Sequence, residues 1–195
     1  LYPALVTLLI VSAAYITLFQ RNLLNNLKGI VFSSLFYVNN WWQIRQGYSY
    51  FDRFGNESPF THLWSLAVEG QNYLIWPIIC FLLLKFVKNK STIIKIIFFF
   101  FFISALMMVL LFQPGSDPTR VYYGTDTRLF SLWLGSLLAF VWPTAQLRSQ
   151  IPKEAKKVLN LSGGISLVLL ALGFFFLDAR YSFIYYGGLY LISLL

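Results

Sequence analysis

The sequence predicts an all-α protein, a polytopic transmembrane helical bundle of about five full spans plus one truncated span. Three observations predict it. Hydrophobic residues fill 58% of the 195 positions and charged residues only 11%, with a mean hydropathy of +0.67; a soluble domain lies nearer half apolar and a quarter charged. Five apolar runs, at about 3–19, 62–84, 93–112, 128–142 and 158–177, approach the roughly 20 residues that a helix needs to cross a bilayer. A sixth run starts near 183 and meets the end of the chain. Third, the 20 Phe, 12 Tyr and 6 Trp are residue types that fill spans and line their interfaces.

The first run starts at once, without Met or a basic flank, which is not the pattern of a signal peptide. With an apolar run at the other end, the expectation is one partial transmembrane domain over 1–195, cut from a longer membrane protein at both ends. The run 30–38 is too short to span and reads as an interfacial or re-entrant helix. It leads into NNWWQIRQGYSYF, where Trp41, Trp42, Tyr48 and Tyr50 are interface residues by type. The second run follows Ser58-Pro59, an N-cap serine and a first-turn proline. In the third run the phenylalanines 98–102 read as lipid-facing bulk. Thr125, Asp126 or Thr127 can cap the start of the fourth, whose Ser131, Gly135 and Ala139 form a small-residue stripe suited to close helix packing.

The net charge of +8 does not point to nucleic acid, because most of the charges sit in short loops between the runs. Lys85, Lys88, Lys90 and Lys95 follow the second span without an acid. Arg148, Lys153, Lys156 and Lys157 follow the fourth against Glu154 alone. The excess of basic residues places both loops in the cytoplasm. Parity then puts 20–61, 113–127 and 178–182 outside and Leu1 at the cytoplasmic face. Cys80 has no second cysteine to pair with, and one His with one Cys cannot build a metal cluster, so no metal is expected. No repeat, low-complexity linker or soluble domain is visible.

The chemistry-bearing stretch is SPFTHLWSLAVEGQNYLIWP, 58–77. It holds His62, the single histidine, and Glu69, an acid inside an apolar run. On a helix His62, Ser65, Glu69, Asn72, Tyr73 and Trp76 recur at steps of three and four and share a face. A carboxylate at membrane depth costs several kcal/mol, about 2.5–3.5 on insertion scales, so such residues face a protein interior or a water cavity and mark function. The bland reading is that Glu69 only pairs with a cation to hold helices together, and that His62 is an ordinary interface residue. Gln71 lies off the stripe and is expected to touch a different neighbour. In the second stretch, RVYYGTDTRLFSLWLGSLLA, 120–139, Asp126 and Arg128 stand at the outer mouth of the fourth span. Arg128 is a candidate partner for Glu69 or for an anionic substrate; otherwise it snorkels to the interface. Tyr50, Tyr122 and Tyr123 fall in outer segments.

The first stretch resembles a signature of the acyltransferase 3 family of membrane O-acyltransferases, roughly H-x-W-S-L-x-x-E-x-Q-F-Y-x-x-x-P. YYGTDTRLFSLWLGSLLA resembles the second signature of that family, and LYPAL the segment after its basic cytoplasmic motif. YVNNWW and YSYF, with their spacing to HLWSL, look most like the OatA-like subgroup, which O-acetylates peptidoglycan. The resemblance implies a multi-pass protein of the bacterial plasma membrane. It would move acetyl from cytoplasmic acetyl-CoA to a hydroxyl of an extracytoplasmic glycan, with a C-terminal or partner SGNH-type domain outside the membrane finishing the transfer. Carried over by position, His62, Trp64, Ser65, Glu69, Gln71, Tyr73 and Arg128 match signature positions, and Tyr50 and Tyr122 match tyrosines proposed for acetyl relay. His62, Glu69, Tyr50 and Tyr122 are then expected to be catalytic, and Trp64, Ser65, Gln71, Asp126 and Arg128 to bind substrate. The sequence departs from the pattern at Gly70 and Asn72, where a carboxylate and an aromatic ring are usual. The histidine and basic motif of the family lie before Leu1, so this piece alone is expected to be inactive.

In that chemistry an oxygen nucleophile attacks the acetyl thioester while a base takes its proton. Glu69 would orient the base or accept the proton, and an outer tyrosine such as Tyr122 would hold the acetyl as an ester. Two other readings stay open on the sequence: an O-acyltransferase acting on another surface polysaccharide or lipid-linked glycan, and a non-enzymatic polytopic transporter, for which the stripe around Glu69 would serve as a proton path.

Overall fold

A computed structural model describes residues 2–24, 26–47, 49, 59–143 and 152–195. These residues form helices and no strand. They are α1 (Tyr2–Phe19), a 3-10 turn (Arg21–Leu24), α2 (Leu27–Leu35), α3 (Asn39–Arg45), α4 (Leu63–Phe86) and α5 (Lys90–Leu111). α6 (Thr119–Tyr123), α7 (Thr125–Val141), α8 (Lys153–Phe176), a π turn (Ile184–Gly188) and α9 (Leu189–Leu194) follow.

Among the described residues four helices are long and apolar enough to cross a membrane: α1, α4, α5 and α8. The expected fourth span, 128–142, is not among these four. α7 has 17 residues, about 26 Å of helix against a hydrocarbon core of roughly 30 Å, and its first turn, Thr125 to Arg128, is polar. The run 30–38 does not cross, as expected: α2 has nine residues and α3 seven. The proposed cap Ser58 lies outside the described residues. α4 begins at Leu63, after a turn in which Leu63 N–H donates to Phe60 O (3.1 Å). It then runs unbroken through Pro77, as membrane helices tolerate.

The structure divides into two compact units, Leu1–Phe81 with Gly115–Arg128, and Leu82–Pro114 with Leu129–Leu195. In the first, Leu5, Leu9, Ile16, Phe60 and Leu63 form a buried cluster, with Leu27, Ile30, Val31, Leu35, Tyr37 and Leu66 packed on it. The apolar side of short α2 is thereby fixed against α1.

In the second unit, Ile93, Ile97, Ala105 and Met108 of α5 and Phe130, Trp133 and Leu137 of α7 are buried. Ser104 Oγ accepts the Phe130 N–H (3.0 Å) and so satisfies a backbone donor. Phe112 stacks on Tyr185 (4.6 Å between centroids, 17°). The phenylalanine run is exposed at Phe98, Phe99, Phe100 and Phe102, as expected for lipid-facing bulk, although Phe100 also meets Trp133 (4.9 Å) and Phe101 meets Phe130 (6.4 Å). α8 buries no residue. The small-residue stripe of α7 is exposed at Ser131, Gly135 and Ala139, and a Cβ added at Gly135 would meet nothing within 4 Å.

Candidate functional site

α4 turns one face inward and leaves the other open. Leu63, Ala67, Val68 and Gly70 are buried, with Trp64 and Gln71 half-buried beside them. At 100° per residue these six positions cover one side of the helix. The face expected to line the interior is the other one: Glu69 and Tyr73 are exposed, Ser65, Asn72 and Trp76 half-buried. His62 is exposed in the turn before the helix, and Ser65 Oγ donates to its carbonyl (3.0 Å). A repeat of three and four marks a face without saying what covers it, and within these 195 residues that face is the more exposed one.

The expected ion pair between Glu69 and Arg128 does not form. Arg128 lies instead over the rings of Tyr122 (4.4 Å to the centroid) and Trp64 (5.5 Å), and its Nε donates to Tyr122 O (2.9 Å). Glu69 is five residues beyond Trp64, about 140° further round α4, so a guanidinium seated on the indole is turned away from the carboxylate. Trp64 also meets Tyr122 (5.0 Å) and Tyr123 (5.1 Å). Stacked cations of this kind are worth roughly 0.5–2 kcal/mol, more when desolvated.

Asp126, expected to bind substrate, is held in a fork by Arg120: Nη1 to Oδ1 at 3.0 Å and Nη2 to Oδ2 at 2.7 Å. Arg120 in turn lies over Trp41 of α3 (5.1 Å). The fork closes around Gly124, where an added Cβ would run into Arg120 Nη1, Asp126 Oδ1 (2.5 Å) and Thr127 Oγ1 (2.8 Å). Thr127 Oγ1 donates to the carbonyls of Val121 (2.7 Å) and Gly124 (2.9 Å). The sharp α6–α7 turn is therefore built by side chains that need glycine at its centre.

Gln71 faces the neighbour the sequence left unnamed. Its Nε2 donates to Tyr37 O (2.5 Å) and to Asn40 Oδ1 (3.0 Å), and its Oε1 accepts from Thr125 Oγ1 (2.7 Å). Asn40 Nδ2 donates to Thr125 Oγ1 (2.8 Å) and to Tyr123 O (3.0 Å). A second group continues it: Gln43 Nε2 donates to Asn39 Oδ1 (2.5 Å) and Thr61 O (3.3 Å), and Asn39 Nδ2 to Ser33 Oγ (3.1 Å). Asn39 and Asn40 are fully buried and Gln43 is 3% exposed. The sequence reading overlooked these three amides, because Trp41 and Trp42 marked the segment as interfacial. Their spacing, i, i+1 and i+4 on a short helix, was the available signal.

The structure thus brings Trp64, Gln71, Tyr122 and Arg128 together in the first unit, with Asp126 held in the Arg120 fork of the α6–α7 turn. Glu69, His62 and Ser65 stand on the surface and in the turn of α4. Tyr50 lies outside the described residues. Among the described residues no three His, Cys, Asp or Glu side chains group as metal ligands.

Comparison with known proteins agrees along the whole chain. It is 45% identical over 195 residues to the peptidoglycan O-acetyltransferase OatA of Listeria monocytogenes, covering 100% of this chain and 31% of that protein. It is 41% identical over 194 residues to YrhL of Bacillus subtilis, provisionally named a peptidoglycan O-acetyltransferase, covering 99% and 31%. Proteins of Staphylococcus aureus provisionally named O-acetyltransferases are 39% identical over 195 residues, covering 100% and 32%. The chain therefore spans about a third of the length of the curated relatives it matches. No protein-family model matches the chain, and no solved structure matches it.

Proposed function

We propose that this chain, which belongs over its whole length with the OatA-like membrane O-acetyltransferases, is part of the membrane domain that passes acetyl groups from cytoplasmic acetyl-CoA to hydroxyls of an extracytoplasmic glycan, foremost the muramic acid of peptidoglycan. The observation that carries the reading is convergence. Trp64 and Gln71 come from one signature run, Tyr122, Thr125 and Arg128 from another some fifty residues later, and the fold joins them through direct contacts. The membrane is the bacterial plasma membrane, and the acceptor side is the side of the α6–α7 turn.

In this reading the thioester end of acetyl-CoA enters the bilayer from the cytoplasm as far as the Tyr122 turn, where the phenol oxygen of Tyr122 attacks its carbonyl carbon. A C–O bond forms, the C–S bond breaks, the thiolate leaves, and the phenol proton passes to it through water and a carboxylate, the role assigned to Glu69. The acceptor hydroxyl then attacks the aryl acetate; the sugar keeps the acetyl and the phenol recovers a proton. The Arg128 guanidinium, 4.4 Å from the ring centroid, is placed to balance negative charge as it develops on the tetrahedral carbon's oxygen. An aryl ester is a good enough acyl donor for the second transfer to run downhill to an alkyl ester. The two thirds of the relatives' length that this chain does not cover leave room for the extracytoplasmic SGNH-type domain that would hand the acetyl to the glycan.

The test is alkali-releasable acetate on purified peptidoglycan. Cells lacking the full-length gene are compared with cells complemented by wild type, Glu69→Gln or Tyr122→Phe. Acetate is expected to vanish on deletion, to return with wild type, and to stay below about a tenth of it with either variant at equal expression. Unchanged acetate on deletion would remove peptidoglycan as the acceptor. Full rescue by Tyr122→Phe would remove the relay.

A further inference from the structure

We propose that Asn40 is a positioning residue of this site: it closes a ring of side-chain hydrogen bonds that holds Tyr122 and Arg128 against Trp64. The proposal rests on the acetyl-transfer reading and adds to it a residue outside both signature runs. The ring has three members and one sense. Gln71 Nε2 donates to Asn40 Oδ1, Asn40 Nδ2 donates to Thr125 Oγ1, and Thr125 Oγ1 donates to Gln71 Oε1. The second hydrogen of each amide goes to a backbone carbonyl, Tyr37 O from Gln71 and Tyr123 O from Asn40. Both amides therefore use both of their N–H donors and their oxygen, and the threonine hydroxyl both donates and accepts. Turning Gln71 over would set its carbonyl against those of Tyr37 and Asn40, and turning Asn40 over would set its N–H against that of Gln71 and its carbonyl against Tyr123 O, so the orientation is fixed. Such a circuit is cooperative, and it is stiff because every member is satisfied inside a protein interior of low dielectric.

What the ring holds is the backbone around the relay tyrosine. Tyr122 O accepts from Arg128 Nε, and the next carbonyl, Tyr123 O, accepts from Asn40. The two consecutive peptides that carry the Tyr122 ring into α7 are pinned from both sides. α3, which brings Asn40, is seated by Trp41 beneath Arg120. Since Asn40 is fully buried and all of its polar atoms are committed, it touches no substrate; it acts through Tyr122. Gln71 and Thr125, which lie in the signature runs, are on this argument positioning residues as well.

The test uses the full-length protein purified from membranes, with turnover counted per folded, monodisperse molecule. Asn40→Asp keeps shape and the acceptor for Gln71 but removes both donors. Thr125→Val keeps shape and removes the hydroxyl; Thr125→Ser restores it. A displacement of the reacting groups by about 1 Å can cost on the order of a hundredfold in rate. Asn40→Asp and Thr125→Val are therefore expected to lower kcat by roughly tenfold or more, with KM for the glycan acceptor within about twofold, and Thr125→Ser to recover most of the loss. Because the residues act as a unit, the Asn40→Asp, Thr125→Val double variant should be about as slow as Asn40→Asp alone. Wild-type turnover per folded molecule in both Asn40→Asp and Thr125→Val would overturn the proposal, whatever their yield. Should Asn40→Asp not fold, the Thr125 pair decides alone. A wild type that transfers no acetyl would overturn the acetyl-transfer reading itself, whereas active wild type with equally active ring variants and an inactive Tyr122→Phe overturns only the Asn40 assignment.

Discussion

Tyr37 occupies a backbone conformation that tyrosine seldom takes. Its φ is 55°, in the left-handed region, where a residue with a Cβ is penalised by roughly 1–2 kcal/mol. The position is the one after the C-cap of α2, and the hydrogen bonds there, Val38 N to Ser33 O (2.8 Å) and Tyr37 N to Ser34 O (3.1 Å), form a Schellman ending that ordinarily selects glycine. Two gains offset the strain. The Tyr37 carbonyl accepts from Gln71, and its ring lies where a Cβ on Gly70 would be. This accounts for the departure at Gly70, where a carboxylate is usual in the family pattern and where glycine in a helix interior would otherwise lose about 1 kcal/mol against alanine. Gly70→Ala should therefore destabilise rather than stabilise, by about 1–3 kcal/mol of overpacking, read as a lower melting temperature of the detergent-solubilised protein. Adding Tyr37→Gly removes both the ring and the left-handed strain, so the double variant should melt no lower than Gly70→Ala alone. A Gly70→Ala protein that melts above wild type would show that the ring does not press on the helix.

The elements carry the site in an arrangement of short pieces between long ones. α6 is five residues long, too short to persist alone. It stands because Asp117 Oδ1 caps its start from Thr119 N–H (3.0 Å) and hydroxyl (2.6 Å), and because the Arg120–Asp126 fork bridges it to α7. The fork is partly open, with side chains 39% and 30% exposed, so screening limits its stabilisation to about 1 kcal/mol or less. Its geometric consequence is larger. Asp126→Asn should change the melting temperature by only a few degrees yet reduce acetyl transfer, whereas Gly124→Ala, which drives a methyl into the fork, should lose both; membrane yield, melting temperature and acetate release separate the two effects. An Asp126→Asn protein with full activity would make the fork dispensable for the site. This is also where the sequence was least legible. The long apolar helices, the pause at 30–38 and both chemistry-bearing runs could be read from composition and spacing, and Gln71 was seen to leave the stripe. The inward face of α4 could not, since Glu69, Tyr73 and His62 repeat as regularly as Leu63, Ala67 and Gly70 do. Nor could α3, where two tryptophans outweigh three amides in any apolar tally although the amides are the buried side. A buried polar network is made by tertiary partners, and its sequence trace is only a pair of asparagines and a glutamine.

At the scale of the whole molecule, the unevenness of burial and the placement of charge make one argument. α8 buries none of its residues and α4 exposes Tyr73, Leu74, Ile75, Ile78, Phe81 and Leu82, surfaces that water would penalise by roughly 25 cal/mol per Å2 and that hydrocarbon does not. Charges gather toward the ends of these helices. Lys85, Lys88 and Lys90 stand where α4 passes into α5, beside a cleft of about 470 Å3 lined by Leu84, Val87, Ile93, Ala139, Phe140 and Pro143. Lys153, Lys156 and Lys157 open α8. The 112–118 stretch before α6, by contrast, carries Asp117 and no lysine or arginine. If orientation follows the basic loops, Lys88 and Lys157 are expected in the cytoplasm and Ser116, with the Tyr122 turn just after it, on the opposite side. Cys80 is the single cysteine of these 195 residues, so a full-length protein with Cys80 and every cysteine outside them changed to Ala gives a clean reporter. In intact cells a membrane-impermeant maleimide should label Ser116→Cys, which is exposed, and should reach Lys88→Cys and Lys157→Cys only after the membrane is opened. The reverse pattern would put the Tyr122–Arg128 pair on the acetyl-CoA side, and Tyr122 could not then be the last protein group to hold an acetyl before the glycan; labelling of Lys88→Cys and Lys157→Cys from opposite sides would mean that α5 and α7 do not both cross.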